Sequence, residues 1–431
     1  MHVFRYAHPV LRDAATGRVH YAWVVAGVAF LTLVMAAGFR SVTGVLLIPL
    51  HQSFGWSHET ISLAVAVNLL LYGLSSPFSA AMVERFGLRR VMVTALATIG
   101  ASSLLTIGMT APWQLYLLWG VVNGIATGAI AVPLAAIVAN RWFEERRGLV
   151  TGLMTASNAS GQLVFLPLLA WIAGFDWRYA AIAIAGVALT IVLPLVAAFM
   201  RDRPADIGLK PLGAIEAPPP PAQLGNPFAA ALDALRAAAR SKTFWLLAAT
   251  FFICGATTSG LISTHLIPAA HDHGITQVTA AGLLALVGVF DIVGTTVSGW
   301  LTDRYDSRWL LFWYYGLRGL SLLALPFLFR GPGASLVVFA IFYGLDWVST
   351  VPPTAALTRQ RFGLERSGIL FAWIFGAHQV GAAVAAEAAG AIRTISGDYE
   401  LAFVAAGILA LLASLLVIRI ARRPRPALEP A

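Results

Sequence analysis

The sequence predicts an all-α membrane protein of twelve transmembrane helices arranged as two six-helix halves. Three observations carry that expectation. The 431-residue chain is 58% hydrophobic and only 11% charged, with mean hydropathy +0.78, whereas a soluble chain carries about a quarter charged residues. Apolar runs long enough to cross a hydrocarbon core of about 30 Å as helices recur along its whole length. Two polar stretches half a chain apart also repeat each other: Ala80-Ala81-Met82-Val83-Glu84-Arg85-Phe86-Gly87-Leu88-Arg89-Arg90 and Gly299-Trp300-Leu301-Thr302-Asp303-Arg304-Tyr305-Asp306-Ser307-Arg308. Each sets an acid, an Arg, an aromatic, a tight-turn residue and more Arg between two apolar helices. A repeat of this period points to two homologous membrane-embedded halves.

The spans read as 21–50, 58–83, 91–110, 113–139, 147–173, 177–200, 243–270, 277–301, 309–329, 334–357, 367–392 and 399–420. The first run is too long for a signal peptide, and its start lacks a small-residue cleavage site. The one substantial linker divides the chain into 1–200, 201–242 and 243–431. It contains Pro218-Pro219-Pro220-Pro221, which fits a stiff extended connector. Residues 228–240 then read as a short amphipathic helix with Phe228, Leu232 and Leu235 toward lipid and Arg236 and Arg240 among headgroups. The remaining loops are short and leave no room for a soluble catalytic domain.

The net charge of +9 reflects topology rather than nucleic-acid affinity. With the N-terminus in the cytoplasm, only Arg178, Arg330 and Arg393 among the 29 Lys and Arg fall outside, and Arg40 and Arg318 lie within spans. The rest are scattered over cytoplasmic loops and tails. The positive-inside rule thus predicts an even number of spans with both termini cytoplasmic. The single Cys254 lies within a span and allows no intramolecular disulfide.

Six plus six spans with a duplicated loop between spans 2–3 and 8–9 resemble the major facilitator superfamily over nearly the whole chain. The resemblance implies a cytoplasmic gate in which Glu84, Arg85, Gly87 and Arg89 of the first half, and Asp303 and Arg304 of the second, make contacts that hold one conformation and release in the other. Positive-inside topology with a tight turn is the plainer reading, but opposed signs at fixed spacing exceed what topology needs. Within the superfamily, Trp142-Phe143-Glu144-Glu145-Arg146-Arg147-Gly148-Leu149-Val150-Thr151-Gly152 and Phe54-Gly55-Trp56-Ser57 resemble the monocarboxylate-porter and oxalate–formate-antiporter branch. Gly38-Phe39-Arg40-Ser41-Val42-Thr43 is similar to the segment where monocarboxylate porters carry a substrate-binding lysine. Asp291-Ile292-Val293-Gly294-Thr295 resembles a span 8 segment carrying an Asp and, four residues on, an Arg. The Asp is kept here and Thr295 replaces the Arg. The span 4 Arg and the span 5 Gly-Pro motif of proton-driven drug exporters have no counterpart in 119–124 or 152–161.

Ionisable residues in mid-span cost a few kcal/mol each and are functional candidates by default. Arg40 is the first candidate for substrate, because a guanidinium grips a carboxylate through two parallel hydrogen bonds and keeps its charge. Arg318 and His378 are possible second donors. Asp291 and Asp346 are the candidates for proton coupling, since a carboxylate out of water is relieved of its desolvation cost when it takes a proton. A buried pair of Arg318 with either acid, simply locking neighbouring helices, is the competing reading. Asn68 and Tyr72, Asn123 and Thr127, Asn158 and Gln162, and Tyr314 and Arg318 are each spaced i, i+4 and share a helix face. Such faces line cavities or serve as interhelical hydrogen-bonding glue. Gly120, Gly124 and Gly128 suit close helix packing, and Pro268 and Pro352-Pro353 should kink their spans.

The sequence therefore predicts a secondary transporter of the bacterial cytoplasmic membrane, acting as a monomer in the lipid bilayer by alternating access. Its expected cargo is a small organic anion, a monocarboxylate in chemical class, moved with a proton. Rival readings are an exporter or exchanger of another metabolite or drug, and a ligand-sensing membrane protein on the same fold. No enzyme constellation, metal cluster or nucleotide-binding loop is apparent, so ATP hydrolysis is not the expected driver, and no cofactor or nucleic-acid partner is expected.

Overall fold

A computed structural model describes residues 19–56, 58–214, 225–331 and 333–420; within these, a few side chains, Gln162 among them, are not described. The described chain is helical, without a strand beyond one isolated bridge between Phe143 and Leu212. Twelve helices are long and apolar enough to span a membrane. We label them α1 (Tyr21–Phe54), α2 (His58–Phe86), α3 (Leu88–Gly108), α4 (Pro112–Trp142), α5 (Arg147–Ala173), α6 (Trp177–Phe199), α7 (Lys242–Asp272), α8 (Gln277–Thr302), α9 (Ser307–Phe329), α10 (Gly333–Phe362), α11 (Leu364–Ser396) and α12 (Glu400–Ile418). Large apolar side chains such as Trp171, Phe327 and Leu415 are exposed around the bundle, as lipid-facing positions require.

Two of these spans are broken by prolines. In α4 the helix lapses at 130–132 before Pro133, and in α10 at 347–350 before Pro352-Pro353. Proline removes the backbone donor that the carbonyl four residues earlier would use. Ser349 O, left without Pro353 as donor, instead accepts from Ser298 Oγ of α8 at 2.5 Å. Single π-helical turns at Tyr116–Val122, Val187–Val192 and Ala256–Ile262 interrupt α4, α6 and α7. Apolar periodicity does not reveal such turns.

The two halves meet from mid-membrane to one face, which carries the loops at 84–90, 141–147, 303–308 and 359–366 and is here called the arginine-rich face. There α2 packs on α11, with Tyr72 edge-on to Phe375 and Phe78 edge-on to Trp373, ring centroids 5.5 and 5.7 Å apart. Asn140 of α4 donates to Ser367 of α11 at 3.2 Å. The tightest approach is α5 against α8. A Cβ on Gly148 would stand 2.5 Å from Gly299 O, and one on Gly299 would stand 2.4 Å from Gly148 O. Glycine at both positions lets the two backbones touch.

The linker is more structured than a bare connector. Leu212 folds back beside the α4–α5 loop, donating to Trp142 O and accepting from Glu144 N, both at 2.8 Å. The Pro218–221 run lies outside the described residues. The linker helix Pro227–Ala239 starts on an Asn226 cap and buries Ala231, Ala234 and Ala238. Phe228 and Leu232 are exposed, whereas Leu235 is partly buried against the core. Trp373 Nε1 donates to Ala231 O at 3.0 Å, and Phe78 also packs on Phe228, so the helix straddles α2 and α11.

Candidate functional site

The first half presents one membrane-embedded cation. Arg40 of α1 donates to Asn158 Oδ1 of α5, and its guanidinium lies 4.6 Å from the centroid of the Tyr72 ring on α2. The cation–π contact and the amide hold the guanidinium plane in place. A void of about 10 Å³, room for about one water, lies among Arg40, Tyr72, Met154, Thr155, Ser157 and Asn158. The sequence adds a decisive point: α1–α6 contain no Asp or Glu except Glu59 and Glu84, at opposite ends of α2.

Sequence spacing expected Asn68 with Tyr72, and Asn158 with Gln162, to line a cavity. Tyr72 and Asn158 do meet Arg40. Asn68 instead donates to Trp119 O of α4 at 2.7 Å and is 1% exposed, which makes it interhelical glue. The Gln162 side chain lies outside the described residues.

The second half holds the complementary cluster, and Arg318 has a different position from the one expected of a substrate donor. A guanidinium has five N–H donors. Those of Arg318 reach Asp346 Oδ2 (2.6 Å), Cys254 Sγ (3.1 Å), Thr257 Oγ1 (3.5 Å), Asp346 O (2.7 Å) and Trp347 O (3.0 Å). Two of the acceptors are backbone carbonyls where α10 breaks, Asp346 O taking Ser349 N as well at 3.3 Å, a backbone need that helical spacing cannot show. Arg318 is 0% exposed, so neither a donor nor an open face remains for substrate in this conformation. Breaking one side of such a buried pair costs about 3–5 kcal/mol, which makes it a fixed post rather than a moving ligand.

Asp291 of α8 is set against the same break. Its Oδ1 accepts from Thr295 Oγ1 at 2.7 Å and from Val348 N at 3.0 Å. A Cβ on Gly294 would meet Leu345 O at 1.9 Å, so the glycine is what lets α8 approach α10 this closely. Thr295, standing where the resembling segment has Arg, serves as a hydrogen-bond donor to Asp291. Arg318 reaches Asp291 only as a charge through space. Asp291 Oδ2 and Asp346 Oδ1 are buried and make no hydrogen bond among the described residues. Two buried carboxyls thus share one guanidinium. His378 of α11 stacks on Phe375 with rings 11° apart, lies 4.9 Å from the Phe251 ring, and leaves Nδ1 buried without a partner.

The two repeated loops do unlike things. Asp303 crosses between halves, accepting from Gly148 N at 2.7 Å and Leu149 N at 2.9 Å at the start of α5. That joins a carboxylate to the positive end of a helix. Glu84, its counterpart in the repeat, stays within the first half, pairing with Arg141 at 2.8 Å and Arg203 at 3.6 Å. Burial, with Arg141 alongside, lowers the pKa of Arg203 from its ordinary value. Gly87 adopts φ 89°, and a Cβ there would strike the Asp202 carboxylate, which accepts from Arg89 N at 2.8 Å. Arg85 and Arg304 lie over neighbouring Phe86 and Trp300 rings. The arginine-rich face is therefore closed by the Asp303 carboxylate on α5 and by glycine-mediated contact beside it.

Twelve spans in two halves, with Arg40 in the first and the buried Arg318–Asp346 pair and Asp291 in the second, frame a membrane transporter. Residues 28–386 and 266–431 match the family described as Major Facilitator Superfamily, and the chain belongs to it. It is 25% identical over 396 residues to the uncharacterized MFS-type transporter YcxA of Bacillus subtilis, covering 88% of this chain and 90% of that one. It is also 25% identical over 398 residues to monocarboxylate transporter 13 of Rattus norvegicus, covering 90% and 86%. In fold it is similar to the proton:xylose symporter XylE, with TM-score 0.70, 15% identity and coverage of 93% and 96%. The human organic anion transporter MFSD10 has TM-score 0.68, 17% identity and coverage of 92% and 99%. The chain is a multi-pass Major Facilitator Superfamily transporter with a small molecule as its substrate.

Proposed function

We propose that this transporter moves a monocarboxylate together with a proton across the bacterial cytoplasmic membrane, acting as a monomer. The observation that carries the reading is Arg40, a mid-membrane cation in a half whose spans hold no acid away from their ends. A guanidinium at that depth attracts an anionic substrate, and its planar fork suits a carboxylate. The relatives named monocarboxylate transporters support the same class. Tyr72 and Asn158 orient the guanidinium, and His378 offers its Nδ1 from the other half.

The proton resides in the second half. Asp291 and Asp346 share the single charge of Arg318, so the cluster carries one surplus negative charge unless a proton joins it. An arriving anion makes that surplus costlier, and taking up a proton relieves it. Binding of the two is then mutually favourable. The arginine-rich face is cytoplasmic by the positive-inside rule, so the closed end of this conformation faces inward. Rocking of the halves about the Arg40 level would break the Asp303 cross-link and open that end.

A thermal-stability screen of the purified protein tests the substrate class. Mono- and dicarboxylates, amino acids, sugars and cationic drugs are compared at about pH 5.5 and 7.5; a ligand at 100 times its Kd stabilises by about 2.7 kcal/mol. The expected result is stabilisation by monocarboxylates, stronger at the lower pH because proton and anion bind cooperatively. Stabilisation by cationic drugs or sugars alone would discard the anion reading.

A further inference from the structure

Behind the Asp303 cross-link lies a cavity of about 520 Å³ on the arginine-rich face, its wall at Thr151 one helical turn from Thr155, which borders the void at Arg40. Its walls come from both halves: Arg146, Arg147 and Thr151 from the start of α5, Arg304 from the α8–α9 loop, Arg359 and Gln360 from α10. Asp303, Glu144 and Glu145 also border it. The Asp303 carboxylate is committed to Gly148 N and Leu149 N, and Glu144 and Glu145 are exposed. Arg147 uses its Nε on Phe143 O, and Arg304 donates to Trp300 O. Arg359 is partly buried, and no hydrogen bond or ion pair among the described residues holds its guanidinium. Arg147 and Arg359 come from opposite halves; Arg359 opposes the charge of Arg147, and both arginines also feel the Asp303 and Glu144 carboxylates.

We propose that this cavity is a regulatory site for a phosphate-bearing anion, which bridges Arg359 and Arg147 and keeps the arginine-rich face closed. The charge and the geometry both favour it. An oxyanion between two guanidiniums replaces their repulsion with charge-assisted hydrogen bonds and gives Arg359 its missing acceptor. The volume falls in the range of small-molecule sites, roughly 300–1,000 Å³, and exceeds what bare phosphate needs. Ala136, Pro352 and Ala355 supply an apolar floor for an organic body. Because Arg147 and Arg359 come from different halves, the bridging site exists only while the halves are together. The anion therefore binds the closed state alone and opposes opening by mass action. This inference is independent of what the transporter carries.

The test reads opening of the face directly. Ser367 is 2% exposed at the half–half contact, so Ser367→Cys in the full-length protein reacts with a maleimide only when that face opens. The parent chain, whose lone Cys254 is buried, provides the blank. Inorganic phosphate at ten times its Kd, against chloride at equal ionic strength, should slow labelling about tenfold. Arg359→Gln should abolish the effect and Arg359→Lys should weaken it, with labelling in chloride serving as the check that each variant is folded. A second arm compares nanodiscs of phosphatidylcholine with and without phosphatidylglycerol. Slowing by phosphatidylglycerol but not by free phosphate assigns the phosphate to a lipid headgroup and upholds the site. Equal labelling in every condition, or slowing that survives Arg359→Gln, would overturn it.

Discussion

Arg40→Gln is expected to abolish carboxylate binding while leaving the fold intact. The substitution keeps a polar side chain for Asn158 and Tyr72 to contact, and it removes the only cation in the interior of α1–α6. A fork-on-fork contact comprises two charge-assisted bonds of roughly 1.5–3 kcal/mol each, so affinity should fall at least about a hundredfold. Arg40→Lys keeps the charge and loses the bidentate geometry, and should fall between wild type and Gln. Isothermal titration with the strongest carboxylate from the stability screen measures both. Full retention by Arg40→Gln would remove Arg40 from the site.

Gly299→Ala is expected to shift the conformational balance without touching either buried ion. The new Cβ would meet Gly148 O at 2.4 Å, and the atom in its way is backbone, which cannot swing aside. Overpacking of this kind costs about 1–3 kcal/mol, enough to move a two-state equilibrium roughly 5- to 150-fold. The strain exists only while the arginine-rich face is shut, so the population moves toward the state open on that face. Labelling at Ser367→Cys should accelerate accordingly, and transport should fall because the closed state is visited less. Gly186→Ala, whose Cβ meets nothing within 4 Å, is the matched control. Equal labelling in the two variants would show that α5–α8 contact does not gate this face.

The bundle was legible because lipid imposes a harsh rule on sequence: twelve long apolar runs admit few other architectures. The linker helix and the proline breaks also follow from local chemistry. The arrangement around the buried ions was only half legible. Arg40 stood out because a charge in a span is rare, and its partners Asn158 and Tyr72 happened to carry the polar spacing of a cavity face. Arg318 stood out for the same reason, yet its role depends on the Asp346 and Trp347 carbonyls at a break in another helix. Nothing in the spacing of α9 encodes that. Likewise, Asn68 matches Asn158 in pattern but spends its amide on Trp119 O. The repeated loops look equivalent in sequence. Only tertiary packing separates Asp303, which bridges the halves, from Glu84, which Arg141 and Arg203 retain within one half.

The cation and the shared-acid cluster occupy opposite halves, so anion and proton should be separable by mutation. The most direct measurement is uptake of the radiolabelled monocarboxylate found in the stability screen, into sealed proteoliposomes with and without an inward proton gradient. Wild type should accumulate it only with the gradient, while Asp291→Asn should keep anion exchange and lose accumulation. Gradient-independent accumulation by wild type, or undiminished accumulation by Asp291→Asn, would contradict proton-linked anion transport through this cluster.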